Sequence, residues 1–271
     1  MRNNLSQMIS LTKISEKLYR PANAYEFSQV ARMEHLRTNI EETSQEGIKA
    51  VANRIATLIR KHQEENKEFV LSLVAGRTMR DLFTELVRMH KEEGLSFANV
   101  VIVNAYEFYP LTDASLGSMA QIRKELLNHV DIKAENVHTI PADLSKDAII
   151  ECCHNLEKTI VDLGGIDLQI LGIGRAGNIA MNEPGTQASS ATRLVIMDNN
   201  SREDAKINFG SSDVVPASVI TLGVDTIMDS KEIILLALGQ HKANIVKQAI
   251  EAPMSNSCPA SLLQAHKRVG S

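Results

Sequence analysis

The sequence contains no tryptophan, and only four tyrosines and six phenylalanines among 271 residues. So thin an aromatic complement argues against a stacking platform for single-stranded nucleic acid. A basic excess is also missing. Lys and Arg number 29 against 33 Asp and Glu, a net charge of −4. Nucleic acid is therefore not expected as a partner, and only a local basic cluster remains to hold a small anion. Cysteine is scarce: Cys152 and Cys153 are adjacent and Cys258 stands apart. They fit no metal or redox spacing, and neighbouring cysteines do not bridge without strain. They read as reduced thiols, which implies a cytoplasmic protein. His154, His241 and His266 have no partner at ligand spacing, so no metal is expected. No apolar run approaches the roughly 20 residues of a membrane span. Met1-Arg2-Asn3-Asn4 lacks the apolar core of a secretory leader.

What is present is ordinary for a water-soluble α/β chain, with 44% hydrophobic and 23% charged residues. Residues 1–40 are polar and weakly periodic, and are expected to form an extension packing on a domain over 41–271. Apolar residues recur at helical spacing from Glu46 to Glu65 (Ile48, Val51, Ile55, Leu58, Ile59) and again from Met79 to His90. Ser118 to His129, Ala148 to Leu163 and His241 to Ile250 read as further helices. Strands are expected at 69–74, 100–104, 136–140, 167–171, 193–197, 218–222 and 231–238, with 107–115 a loop. Strands alternating with helices imply a Rossmann-like, doubly wound, mostly parallel sheet with helices on both faces.

Two strand-to-helix crossings carry glycine where a ligand would sit. The first is Val74-Ala75-Gly76-Arg77-Thr78. A helix starting there offers free N–H groups and a positive dipole end, which suit phosphate. Arg77 adds charge, and Thr78 adds a hydroxyl that is alternatively a plain helix cap. The second is Gly172-Ile173-Gly174-Arg175-Ala176-Gly177-Asn178, continuing to Asn182-Glu183-Pro184. Its G-x-G-x-x-G lettering lies too late in the chain for the dinucleotide fingerprint and lacks the acidic strand end that follows it. Proline after Glu183 keeps that residue extended and favours a fixed carboxylate. Glu107 sits among Tyr106, Phe108 and Tyr109, where desolvation would raise its pKa, or is a solvated loop residue. Lys242, in the opening turn after Gly239, is better explained by an anionic ligand than by helix stability. Arg193, Arg202 and Lys206 supply further positive charge.

Taken together, these pieces resemble the glucosamine-6-phosphate deaminase/isomerase family, which is related to the 6-phosphogluconolactonases. The resemblance runs from about Glu46 to His266. It rests on His129-Val130-Asp131-Ile132, on the Gly172–Pro184 loop, on Thr221-Leu222-Gly223-Val224-Asp225 and on Gly239-Gln240-His241-Lys242. The family opens a sugar ring, moves a proton between C2 and C1, and expels the C2 amine as ammonia without a cofactor. The resemblance places the phosphate cradle on Gly76, Arg77, Thr78 and Lys242. Lys206 substitutes for a family arginine that aligns near Ile207. The substrate loop falls on Gly172, Gly174, Arg175 and Gly177. Arg193 matches an arginine that serves an allosteric site in some members, and Val195 replaces its partner lysine. Relatives commonly self-associate, so a homo-oligomer is expected.

The departures bear on chemistry. Tyr106 replaces the proton-shuttling Asp, Ala176 replaces a second Asp, and Asn178 replaces the ring-opening His. An amide cannot act as a general base. Glu183 is retained, and Glu107 follows the replaced Asp. Catalytic roles are therefore assigned to Glu183, Glu107, Tyr106 and Asn178. Two readings follow, a divergent sugar-phosphate deaminase/isomerase or a sugar-phosphate-binding regulatory module. A lactone hydrolase is a third, disfavoured because Asn178 stands where it needs a histidine.

Overall fold

A computed structural model describes residues 34–141, 143–209, 215–267 and 269–270. The first helix, α1 (Ser44–Glu64), starts at a capping box in which Thr43 and Glu46 satisfy each other's backbone N–H groups. Its apolar stripe of Ile48, Val51, Ile55 and Ile59 is buried and packs beside α2 (Arg77–Glu93), which buries Met79, Leu82, Phe83 and Leu86. Between them lies β1 (Phe69–Leu73), and after them β2 (Val100–Asn104); every residue of both strands is buried. Continuous apolar runs of this kind suit strands covered on both faces.

The main sheet is completed by β4 (Val137–His138), β5 (Leu168–Gly172), β8 (Ile233–Leu236) and β9 (Val269–Gly270). The strand order is β4-β2-β1-β5-β8-β9, and every neighbouring pair is parallel. This is the expected Rossmann-like arrangement. Most of the connections are helical: α3 (Ser118–Glu125) on the path from β2 to β4, α4 (Ile149–Asp162) before β5, and α6 (Val224–Met228) before β8. A 3₁₀ turn over Gln240–Lys242 leads into α7 (Ala243–Glu251). No helix among the described residues is long and apolar enough to cross a membrane.

The sequence reading missed one strand and the second sheet it completes, although it expected the other two strands of that sheet. The segment expected as a loop from Glu107 contains β3 (Tyr106–Tyr109), four buried residues paired antiparallel with β7 (Ser218–Thr221). β7 in turn pairs with β6 (Arg193–Ile196). Aromatic residues suit a pleated, half-covered surface, and that outweighs the loop signals of Glu107 and Pro110. Ala105 is the hinge between the sheets: its N–H donates to Leu73 O, extending the main ladder, and its carbonyl accepts from Leu222 N–H. α5 (Asn199–Phe209) is also absent from the sequence reading, because its apolar residues form no clear stripe. The helix expected to His129 ends at Glu125, with a 3₁₀ turn over Leu127–His129. Of the expected N-terminal extension, 1–33 lie outside the described residues. Leu36 is buried in the core, and His35 N–H donates to Ile250 O at 3.0 Å.

Candidate active site

β5 lies between β1 and β8, so their carboxyl ends bring Gly76, Gly172–Gly174 and Gly239 to one edge of the main sheet. Small-molecule sites of open α/β sheets sit at such edges. Gly76 caps α2 at φ 133°, a backbone state that only glycine adopts readily. Thr78 is not the cap: α2 begins at Arg77, and no side chain bonds its start. Arg77 is exposed and Thr78 half-buried. Met79 in the first turn touches the space beside Gly172, so this helix start lies against the β5 loop.

On the other side, Lys242 closes the 3₁₀ turn that precedes α7, not the first turn of the α-helix itself. Its Nζ donates to Ile173 O at 2.9 Å. Burial pushes its pKa down and nearby Arg175 adds to this, while Asp204 pulls the other way. A partly buried ammonium held by a carbonyl, with no carboxylate bound directly to it, is suited to an anion. Arg175 is turned toward α5, where its guanidinium pairs with Asp204 at 2.9 Å and donates to Asn200 O at 3.2 Å. Lys206 pairs with Glu203 on the same helix, so its ammonium already has a partner.

The Gly-rich loop folds back on itself. Gly174 N–H donates to Asn178 O at 2.9 Å, and the Asn178 amide lies where a Cβ on Gly174 would be, only 1.8 Å from its Oδ1. Gly177 takes φ 79°, and a Cβ there would strike Cys258 Sγ at 2.5 Å. Ala260 N–H holds Gly177 O at 2.8 Å from below. Glycine at 174 and 177 is thus required by packing as well as by turning.

Glu183 is the most unusual group of the site. It is 8% exposed, and neither carboxylate oxygen makes a hydrogen bond of ordinary geometry. Burial raises its pKa and the Asp198 carboxylate adds to this; the Ser201 hydroxyl and the Asp198 backbone offset part of it. Ser201 and Asp204 lie three residues apart on α5, hence on one face. Ser201 reaches Glu183, and Asp204 pairs with Arg175 and acts on Lys242, so one face of α5 links the Glu183 carboxyl to the Arg175–Lys242 group. An open depression of about 600 Å³ borders the turn, lined among others by Glu183, Thr186, Gln187, Ser190 and Arg193. Gly76, Arg77, Thr78 and Lys242 do not line it.

Tyr106 and Glu107 are both engaged. The Tyr106 side chain is buried and its hydroxyl donates to Ala75 O at 3.3 Å, next to Gly76. Burial raises its pKa, and the Glu107 charge adds to this. The Glu107 carboxylate accepts from the N–H groups of Ser118 (2.7 Å), Met119 (2.9 Å) and Phe108 (3.0 Å). Two of these donors open α3, so Glu107 caps that helix from outside. Burial pushes its pKa up and the three N–H donors pull it down. Among the described residues, no cluster of three or more His, Cys, Asp or Glu side chains is placed to hold a metal.

Sequence reasoning gave no role to Asn104, Asp204 or Thr186. Asn104 closes an otherwise apolar strand, which is a readable signal; its Oδ1 accepts from Ser118 Oγ at 3.2 Å, and its Nδ2 has no partner. Asp204 and Thr186 carry no such signal, since their partners Arg175 and Arg193 are set by the fold.

The fold and this edge define a Rossmann-like α/β protein with its candidate site at the carboxyl ends of parallel strands. Residues 42–270 match the family described as glucosamine-6-phosphate isomerases/6-phosphogluconolactonase, and the chain belongs to that family. It is 46% identical over 267 residues to a glucosamine-6-phosphate deaminase-like protein of Bacteroides thetaiotaomicron, covering 98% of this chain but only 40% of that relative's length. It is 36% identical to a glucosamine-6-phosphate deaminase of Pseudoalteromonas translucida, covering 81% of this chain and 82% of the relative. Among solved structures, a monomeric glucosamine-6-phosphate deaminase superposes with TM-score 0.82 at 31% identity, over 87% of this chain and 95% of its own. The 6-phosphogluconolactonase of Trypanosoma brucei superposes at 0.67 with 18% identity over 87% and 94%, a likeness of fold alone.

Proposed function

We propose that the chain takes a phosphorylated amino sugar of the glucosamine 6-phosphate type and converts it slowly to the ketose phosphate. A proton moves from C2 to C1, water enters, and the C2 nitrogen leaves as ammonia. The observation that carries this reading is the buried carboxyl of Glu183, reached by Ser201 of the same helix whose Asp204 pairs with Arg175 beside Lys242. Burial raises the Glu183 pKa, which brings the carboxyl closer to the range in which it can pass a proton to the ring oxygen as the sugar opens. Gly76, the first N–H groups of α2, Arg77 and Lys242 hold the phosphate. Arg175 stands beside them.

The same geometry makes the reaction slow. Tyr106 and Glu107 are both committed to backbone partners, and Asn178 cannot take a proton. The C2–C1 transfer is left without a free base, and a missing acid–base group typically costs about 10² to 10⁴ in rate. A lactone hydrolase is disfavoured on the same ground. The reading extends to a reducing, cytoplasmic setting, in which the free thiols of Cys152, Cys153 and Cys258 persist, and to self-association, which sedimentation equilibrium measures.

The test is ammonia release from glucosamine 6-phosphate with calorimetric binding alongside. Slow release, abolished in Glu183→Gln while binding persists, is expected. Release near about 10 s⁻¹, ordinary for enzymes, would refute the impaired proton transfer. Failure of any phosphosugar to bind would refute the reading altogether.

A further inference from the structure

Arg193 is a cation whose bonding is at odds with its charge. Its guanidinium is half-buried, and burial pushes its pKa down. Yet it makes no ion pair among the described residues. Its partners are all neutral: Asn182 Oδ1 at 2.9 Å, Thr186 Oγ1 at 3.2 Å and Ala191 O at 3.4 Å. The first two bracket Glu183 in sequence, one residue before it and three after.

The bracket is tied down on its other side. The Asn182 amide, besides accepting from Arg193, donates to Ile179 O at 3.1 Å and to Leu222 O at 2.9 Å. Met181 N–H donates to Thr221 Oγ1 at 3.3 Å, and Thr186 N–H closes the turn on Glu183 O at 3.0 Å. Thr221 faces Arg193 across the β6–β7 ladder. The turn carrying Glu183 is therefore anchored to the end of β7 and spanned by one guanidinium from β6. Neither Glu183 carboxylate oxygen makes a hydrogen bond of ordinary geometry, while the Ser201 hydroxyl and the Asp198 backbone come near enough to act on it. Its place depends on the turn that carries it, and the Arg193 guanidinium reaches a side chain at each end of that turn.

We propose that Arg193 is a positioning residue that sets the Glu183 carboxyl for the proton transfer, acting through the Asn182 and Thr186 side chains. This rests on the deaminase reading given above. Its planar fork reaches two acceptors at once, which an ammonium cannot do in the same geometry. Arg193 is not among the charges that move the Glu183 pKa, so its influence is geometric.

The test uses the whole chain with Arg193→Gln, Arg193→Lys, Asn182→Ala and the milder Thr186→Val. Amide hydrogen exchange is read first. The Asn182 and Thr186 amides should exchange at least about tenfold faster in Arg193→Gln, with β1 and β5 unchanged. Unaltered exchange overturns the proposal. In turnover, a displacement near 1 Å costs on the order of 10²-fold. kcat should therefore fall roughly 10- to 100-fold, with KM within about twofold because the cradle lies on other elements. Arg193→Lys should not rescue it, and Arg193→Gln combined with Asn182→Ala should be no worse than the worse single variant. Faster exchange with unchanged kcat, or full rescue by lysine, also overturns the proposal. If Arg193→Gln does not fold, Thr186→Val should show the same pattern at smaller amplitude. A wild-type protein without turnover would fail the deaminase reading, and the exchange and binding data would still decide whether Arg193 holds the turn.

Discussion

Replacing Glu183 with glutamine should make the protein more stable at neutral pH. The buried carboxyl has no hydrogen bond of ordinary geometry to either oxygen, and burial raises its pKa above the usual carboxylate range, with the Asp198 charge adding. A buried, unsatisfied polar group costs about 1–3 kcal/mol, and more when charged. Glutamine keeps the shape and removes the charge, so a gain of about 1–2 kcal/mol is reasonable. For a domain of this size each kcal/mol moves Tm by roughly 2–4 °C, so a rise of roughly 2–8 °C is expected. The pH dependence follows from the direction of the shift. A carboxyl with a raised folded pKa is harmless below its unfolded value near 4.3, and its burden grows as pH climbs from there to the folded value and is complete above it. The advantage of Glu183→Gln should therefore be largest at pH 7–8 and fade toward pH 4. Thermal denaturation of both proteins across that range is the assay. A variant less stable than wild type at pH 7, or a difference that does not change with pH, would refute the reasoning.

Other outcomes follow from neighbouring geometry. Glu107→Ala strips three buried N–H groups of their acceptor and should cost at least about 2 kcal/mol in denaturant unfolding. Gly117→Ala puts a Cβ 2.8 Å from Glu107 Oε1 and should cost about 1–3 kcal/mol by overpacking. Asp204→Ala breaks the exposed pair with Arg175 and should change stability by less than about 1 kcal/mol. It should also tighten inorganic phosphate binding at Lys242 a few-fold, measured by calorimetry. Lys242→Ala should abolish the thermal stabilisation that phosphosugars give.

The parallel sheet was legible because its strands are apolar runs bounded by glycine or polar turns. Phe69–Leu73 and Val100–Asn104 have one plausible assignment each, and the helices between them carry clear apolar stripes. β3 was not legible, since Glu107 and Pro110 speak locally for a loop while antiparallel pairing with β7 decides the outcome. α5 failed for a similar reason: its place is set by tertiary contacts such as Phe209 packing edge-to-face on Phe108, which local periodicity does not record. In the site, Gly76 at the start of α2 was legible as a strand-to-helix turn, whereas Lys242 falls in the 3₁₀ turn before α7 and not in the helix start its sequence suggested. That Glu107 is consumed by capping α3, or that Arg193 spans the Glu183 turn, depends on groups brought together by the two sheets.

The most direct test of the central claim is a crystal structure with glucosamine 6-phosphate bound. The account expects the phosphate between the Gly76–Thr78 turn and Lys242 Nζ, with the ring oxygen or C1–C2 within hydrogen-bond reach of the Glu183 carboxyl. A phosphosugar bound elsewhere, or held with its reactive carbons facing away from Glu183, would contradict it.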